Sequence, residues 1–187
     1  MTFKDIIKAR EAHAQLKKDY FFEFVLFSYQ WWFLLVLTIG LWIGWLVILD
    51  KKRLTPILYV GLISSLIATI SDDIGVTSGL WTYPYKLTYF SNQLYPVDFA
   101  IIPVGYMLLY QFFHIWKHYL IALLVLSVFA TFVVESVFVR MDIYLLLKWK
   151  HWYSSPFYFL IGALVKYSVD KLCIKQSKLV DNKTNHF

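Results

Sequence analysis

One cysteine, Cys173, stands in the whole chain, which excludes an intrachain disulfide and a thiolate metal centre and leaves that residue as ordinary apolar packing. Charge is scarce as well. Asp, Glu, Lys and Arg make up 16% of the 187 residues, against 59% hydrophobic and 20% aromatic, and the mean hydropathy is +0.57. A soluble core of this size cannot hide so much apolar surface. The usual signatures of chemistry are also missing. There is no GxSxG nucleophile turn, no Walker or Rossmann glycine pattern and no HExxH pair, and His13, His114, His118, His151 and His186 are scattered. No metal site is therefore expected, and no motif names a cofactor. The net charge of +6 does not point to nucleic acid, because the basic residues flank apolar runs instead of forming a patch interleaved with exposed aromatics. Beside a bilayer they would meet water or anionic headgroups.

What is present is a series of apolar runs of about 18 to 22 residues, the length that crosses a hydrocarbon core of about 30 Å. They predict an all-α, polytopic membrane helix bundle of about five transmembrane helices, forming one membrane domain over residues 28–174 in a multi-pass cell-membrane protein. The spans are 28–49, 56–74, 95–116, 119–138 and 156–174. Residues 1–27 are expected to form an interfacial amphipathic segment and 175–187 a polar, disordered tail. Thr2 and Asp5 have the spacing of a capping box, and Phe3, Ile6 and Ile7 make an apolar stripe beside Lys4, Lys8 and Arg10. Basic residues extend too far, mixed with Asp5, Glu11 and Asp19, for a cleaved leader, so this segment is expected to stay on the chain. Trp31, Trp32, Trp42 and Trp45 suit an aromatic belt, and Thr55-Pro56 reads as a helix restart with Thr55 as N-cap. Residues 140–151 are too short and charged to cross and read as an interfacial connector.

The third run organises the rest, because Asp98, Pro103, Gln111 and His114 lie inside it or near its end and lipid cannot hydrate them. It is expected in the middle of the bundle. Pro103 removes one helical hydrogen bond and crowds the carbonyl of Phe99, which predicts a kink or hinge there. Gly61, Ser65, Ala68 and Asp72 share one helical face, a seam of small residues suited to close helix packing. Ser127, Thr131 and Glu135 form a second polar stripe. Lys166 and Asp170 are spaced for an ion pair, or Lys166 snorkels to the headgroups. The loop 75–94 is rich in aromatics and reads as a lid.

Alternation of five spans puts Asp72, Asp73, Asp98 and Glu135 at the same side of the membrane, under that lid. Three classes of function follow. A small-ligand or ion- and proton-handling protein would use Asp72, Asp73, Asp98 and Glu135, with Gln111 as a neutral hydrogen-bonding partner. A scaffold would present Gly61, Ser65 and Ala68 to another membrane protein or to a second copy. An intramembrane enzyme would use paired carboxylates as acid and base. Asp98 has two readings: a helix-start carboxylate held by backbone N–H groups, or a member of a desolvated cluster. Lys51, Lys52, Arg53, Lys171, Lys175 and Lys178 favour the C-terminus inside and the aromatic loop outside, while Lys17, Lys18, Arg140, Lys148 and Lys150 favour the reverse.

At Trp81-Thr82-Tyr83-Pro84, Pro96-Val97-Asp98, Pro103 to Gln111 and Glu135 the chain resembles a family of small uncharacterised integral membrane proteins of spore-forming Firmicutes. That resemblance implies a bacterial cell-membrane location and transfers no catalytic residue. Pro103-Val104 and Leu109-Tyr110 also echo the tryptophan-rich sensory proteins, although the surrounding tryptophan-rich signature of that family is missing here.

Overall fold

The computed structural model describes residues 2–184, and the side chains of residues 2–176. Six helical stretches follow in order: α1 (Phe3–Tyr20), α2 (Tyr29–Ile48), α3 (Leu54–Thr77), α4 (Val97–Phe112), α5 (Trp116–Arg140) and α6 (Ser154–Thr184). Three are long and apolar enough to cross a membrane: Tyr29–Ile48, Lys51–Thr77 and Trp116–Arg140. The burial pattern is the reverse of that of a soluble protein. Val36, Val47, Leu62, Leu66 and Val125 lie exposed on the outside, whereas Gln30, Ser64, Asp98, Gln111, Ser127, Thr131 and Lys166 are buried within. An apolar exterior, with a set of polar groups enclosed among the buried apolar residues, suits hydrocarbon, which cannot hydrate such groups.

Helix α4 is the most enclosed. Pro103, Val104, Tyr106, Met107, Leu109, Tyr110 and Gln111 are all buried, and α2, α3 and α5 pack around it. It is the expected central span, but it leaves helical geometry at Phe113, short of the expected end at Trp116, where α5 already starts. At about 1.5 Å per residue, Val97–Phe112 is only ~24 Å long. Helical structure runs on through Pro103 to Phe112. A π-helical turn over Val97–Ile101 widens the helix ahead of it, and the carbonyl of Phe99, which Pro103 cannot reach as a donor, accepts the indole N–H of Trp42 at 3.0 Å. One tryptophan on α2 thus replaces the backbone bond that proline removed.

Other local expectations shift. Thr55 is not an N-cap; Asp50 caps the preceding turn instead, its Oδ1 accepting Lys52 N–H at 3.0 Å. Thr2 N–H donates to Asp5 at 2.6 Å at the start of α1, yet no residue of α1 is buried. The tail expected to be disordered continues α6 as helix to Thr184, while residues 185–187 lie outside the described residues. The architecture is all-α apart from one short ribbon, in which β1 (Trp81–Thr82) and β2 (Leu145–Leu146) pair antiparallel, Trp81 opposite Leu146. This ribbon joins the aromatic loop to the connector. The turn entering it relies on Gly79, whose φ of +66° is the left-handed geometry that glycine tolerates, with Leu80 N–H closing on Gly75 O at 2.9 Å.

Gln111 lies at the end of the bundle opposite the lid. Its amide donates to Ile48 O at 2.7 Å and accepts Asp50 N–H at 3.1 Å, holding the turn between α2 and α3. Both backbone groups would otherwise be left without a protein partner at a helix end.

Candidate functional site

At the lid end α3, α4, α5 and α6 splay around a cavity of about 130 Å³. Asp72, Asp98 and Glu135 line it, each brought from a different helix, and no Lys, Arg or His is among its described lining residues. The walls are mainly apolar or aromatic, including Ile101, Leu126, Phe138 and Ile161, with Tyr144 and Trp149 from the connector.

Asp72 anchors the lid. Its Oδ1 accepts the indole N–H of Trp81 at 2.7 Å and the hydroxyl of Tyr83 at 2.6 Å, and its Oδ2 accepts Leu94 N–H at 3.1 Å. Burial, and then the neighbouring Asp72, push the Tyr83 hydroxyl well above its ordinary range, so it remains a donor. Trp81 lies so close over α3 that a Cβ at Gly75 would come within 2.0 Å of its ring, which is why that position carries no side chain. The ribbon continues the closure: Leu80 O accepts the N–H groups of Leu147, Lys148 and Trp149 at 2.9–3.1 Å.

Asp98 is 2% exposed and does not cap its helix. Its carboxyl shares the cavity with that of Asp72, and its Oδ2 has no partner among the described residues. The helix-cap reading is thereby replaced by a paired-carboxyl geometry. On the opposite wall Glu135 Oε1 accepts the Tyr158 hydroxyl at 2.6 Å, while its Oε2 lies 3.4 Å from His151 Nδ1. His151 Nε2 in turn lies 3.3 Å from Ser136 Oγ.

The other predicted site residues lie elsewhere. Asp73 is exposed on the outside of α3 and does not reach the cavity. Gln111 serves the opposite end, as described above. Gly61 packs on Met107, where an added Cβ would meet the sulfur at 2.7 Å, and Ala68 lines the cavity, so that seam is occupied inside the chain; Ser65 is only half-buried and Ser64 takes the buried position. Lys166 does not snorkel. It is buried, pairs with Asp170 at 3.3 Å and lies over the rings of Tyr110, Trp116 and Tyr119, in the same end of the bundle as Arg53 and His114, which are themselves in contact. Among the described residues no three His, Cys, Asp or Glu side chains gather as a metal centre requires.

Trp81, Tyr83, Tyr158 and His151 were not singled out from the sequence as partners of the acids. A buried carboxylate's need for donors was the available signal, but nothing in the spacing says which aromatic answers it. Comparison with protein-family models, with curated proteins and with solved structures found no match.

Lys86 in the lid donates to Ser91 O at 2.7 Å, and Lys17 of α1 approaches the same carbonyl at 3.4 Å and Asn92 Oδ1 at 2.6 Å. Burial first, and then Lys17, push Lys86 from its ordinary 10.5 down to about 8, while Asp72 acts in the opposite direction. Between these values the unfolded chain binds a proton that the folded lid does not, so stability rises with pH across about 8 to 10.5. Thermal unfolding of the purified protein should show this rise, and Lys86→Met should flatten it; an equal slope in the variant would contradict the assignment.

Proposed function

We propose that this chain is a five-pass membrane protein that binds a small ligand, or handles an ion or proton, in the cavity under the lid. The observation that carries the reading is Asp98: a buried carboxyl set against a second carboxyl, with one oxygen lacking a protein donor and no basic side chain lining the space. Such a group needs a cation or a hydrogen-bond donor that the protein does not supply. Five crossings are supported by the alternation of α2 to α6 between the lid end and the Gln111 end. The basic character around Arg53 and Lys166 favours that end facing the cytoplasm, with the lid outside. A bacterial cell membrane is the location that the resemblance to the Firmicutes proteins implies. Reporters fused to the two termini should report opposite sides, the C-terminus inside, and a shared side would rule out five crossings.

The cavity itself is tested at Gly105, where an added Cβ meets nothing closer than Leu126 at 3.5 Å. Gly105→Leu should fill the space without lowering the thermal midpoint, since it also removes a glycine from a helix interior. It should weaken any ligand of the wild type at least about tenfold, the equivalent of ~1.4 kcal/mol. Unchanged binding would place the ligand elsewhere.

A second reading, hydrolysis or acyl transfer, is favoured by one arrangement: Ser136 Oγ, both ring nitrogens of His151 and the Glu135 carboxylate follow one another at 3.3 and 3.4 Å. That is the order of nucleophile, base and orienting acid, at the looser spacing common before substrate binds. A fluorophosphonate probe should then label Ser136 by displacement of fluoride, with labelling lost in Ser136→Ala and His151→Gln. No labelling of the folded wild type would remove this reading.

A further inference from the structure

Resting on the ligand-binding reading, we infer that the cavity takes a small organic cation: a protonated amine carrying a compact hydrocarbon body. Two independent features select this class. The first is charge. Asp72, Asp98 and Glu135 bring three carboxyl groups to one cavity wall or another, and its described lining contains no Lys, Arg or His. His151 approaches Glu135 from outside the lining, and Lys86 bonds to Ser91 in the lid, so neither neutralises the Asp72 and Asp98 pair by direct contact. The second is the unpartnered Oδ2 of Asp98, in a residue 2% exposed that lines the cavity. An ammonium group has three donors and no acceptor, which matches the free Oδ2 of Asp98 and Oε2 of Glu135, while the hydroxyls that line the cavity, Ser127 among them, can accept as well as donate. The Tyr83 and Tyr158 hydroxyls already donate to Asp72 and Glu135, so their oxygens remain acceptors as well.

The remaining walls decide the rest of the ligand. Leu126, Phe138 and Ile161 offer no polar group, and Tyr144 and Trp149 add aromatic surface able to hold a cation's hydrocarbon flank. A fully hydrated inorganic ion would leave these walls unused. The volume of about 130 Å³ is close to the roughly 150 Å³ of an apolar cavity that admits benzene, which limits the body to about four to six carbons. An anion is disfavoured by the carboxyls, and a neutral molecule of the same shape forgoes the charge-assisted hydrogen bonds.

The test uses the purified full-length chain in detergent micelles at pH 7, with isopentylammonium, isopentanol and isovalerate as cationic, neutral and anionic probes of one shape, and sodium ion as an inorganic competitor. Calorimetric titration should show isopentylammonium binding at least about tenfold more tightly than isopentanol, no binding of isovalerate, and no displacement by sodium at matched ionic strength. Asp98→Asn should bring the ammonium down to the affinity of the alcohol. Equal affinity of amine and alcohol for the wild type overturns the inference without any variant being needed, and so does displacement by sodium. In both cases the cavity remains a ligand site. If no probe binds and Gly105→Leu changes nothing, the ligand-binding reading falls together with the inference.

Discussion

The lid stays shut through one carboxylate. Asp72 gathers an indole N–H, a phenol hydroxyl and a backbone N–H, all from residues 81–94, onto its two oxygens. In a low-dielectric setting an acid so placed is costly without donors and holds strongly with them. The rest of the lid end depends on that exchange: the position of Trp81 requires Gly75 beneath it, the ribbon to residues 145–146 extends from Trp81, and the closed loop keeps Asp98 from bulk water. Removing the donors would expose the cavity; removing the acid would leave the donors buried and unsatisfied.

The two ends of the bundle answer buried charge in different ways. At the lid end the carboxyls meet indole, phenol and backbone donors, and Oδ2 of Asp98 and Oε2 of Glu135 are left without a hydrogen bond among the described residues. At the other end, Lys166 meets both a carboxylate and the faces of three aromatic rings, and Tyr110 supplies its hydroxyl to Asp170 at 3.0 Å. That cation is fully accommodated by the protein. The contrast is what marks the first end as a place for something the chain lacks and the second as a clamp between α4 and α6.

Much of this was legible in the residues. The apolar runs located the helices to within a few positions except for the far end of α6, Pro103 pointed to the Phe99 carbonyl, and simple alternation grouped Asp72, Asp98 and Glu135, which line one cavity. Helical spacing also linked Lys166 to Asp170. What escaped were relations that no periodicity encodes. Asp72 and Asp73 are adjacent, and only the rotation of α3 decides that one faces the cavity and the other the outside. Gln111 looked like a site residue because a buried amide in an apolar run is unusual, yet two backbone groups at a helix end 61 and 63 residues upstream claim it. The two-residue strands are too short to produce an alternating pattern, and His151 meets Glu135 only because the connector doubles back.

The short reach of α4 has a mechanical consequence in a bilayer. A helix of ~24 Å set among neighbours of ~30 Å or more cannot match a hydrocarbon layer of about 30 Å at both ends. The lid fills the deficit on one side, with Phe90 exposed on its rim. Thickening the bilayer would press acyl chains against that rim, and thinning it would draw headgroups and water toward Asp98. In a bilayer, the thickness set by acyl-chain length would therefore bear on the lid rim and, through it, on the water that reaches the carboxyls.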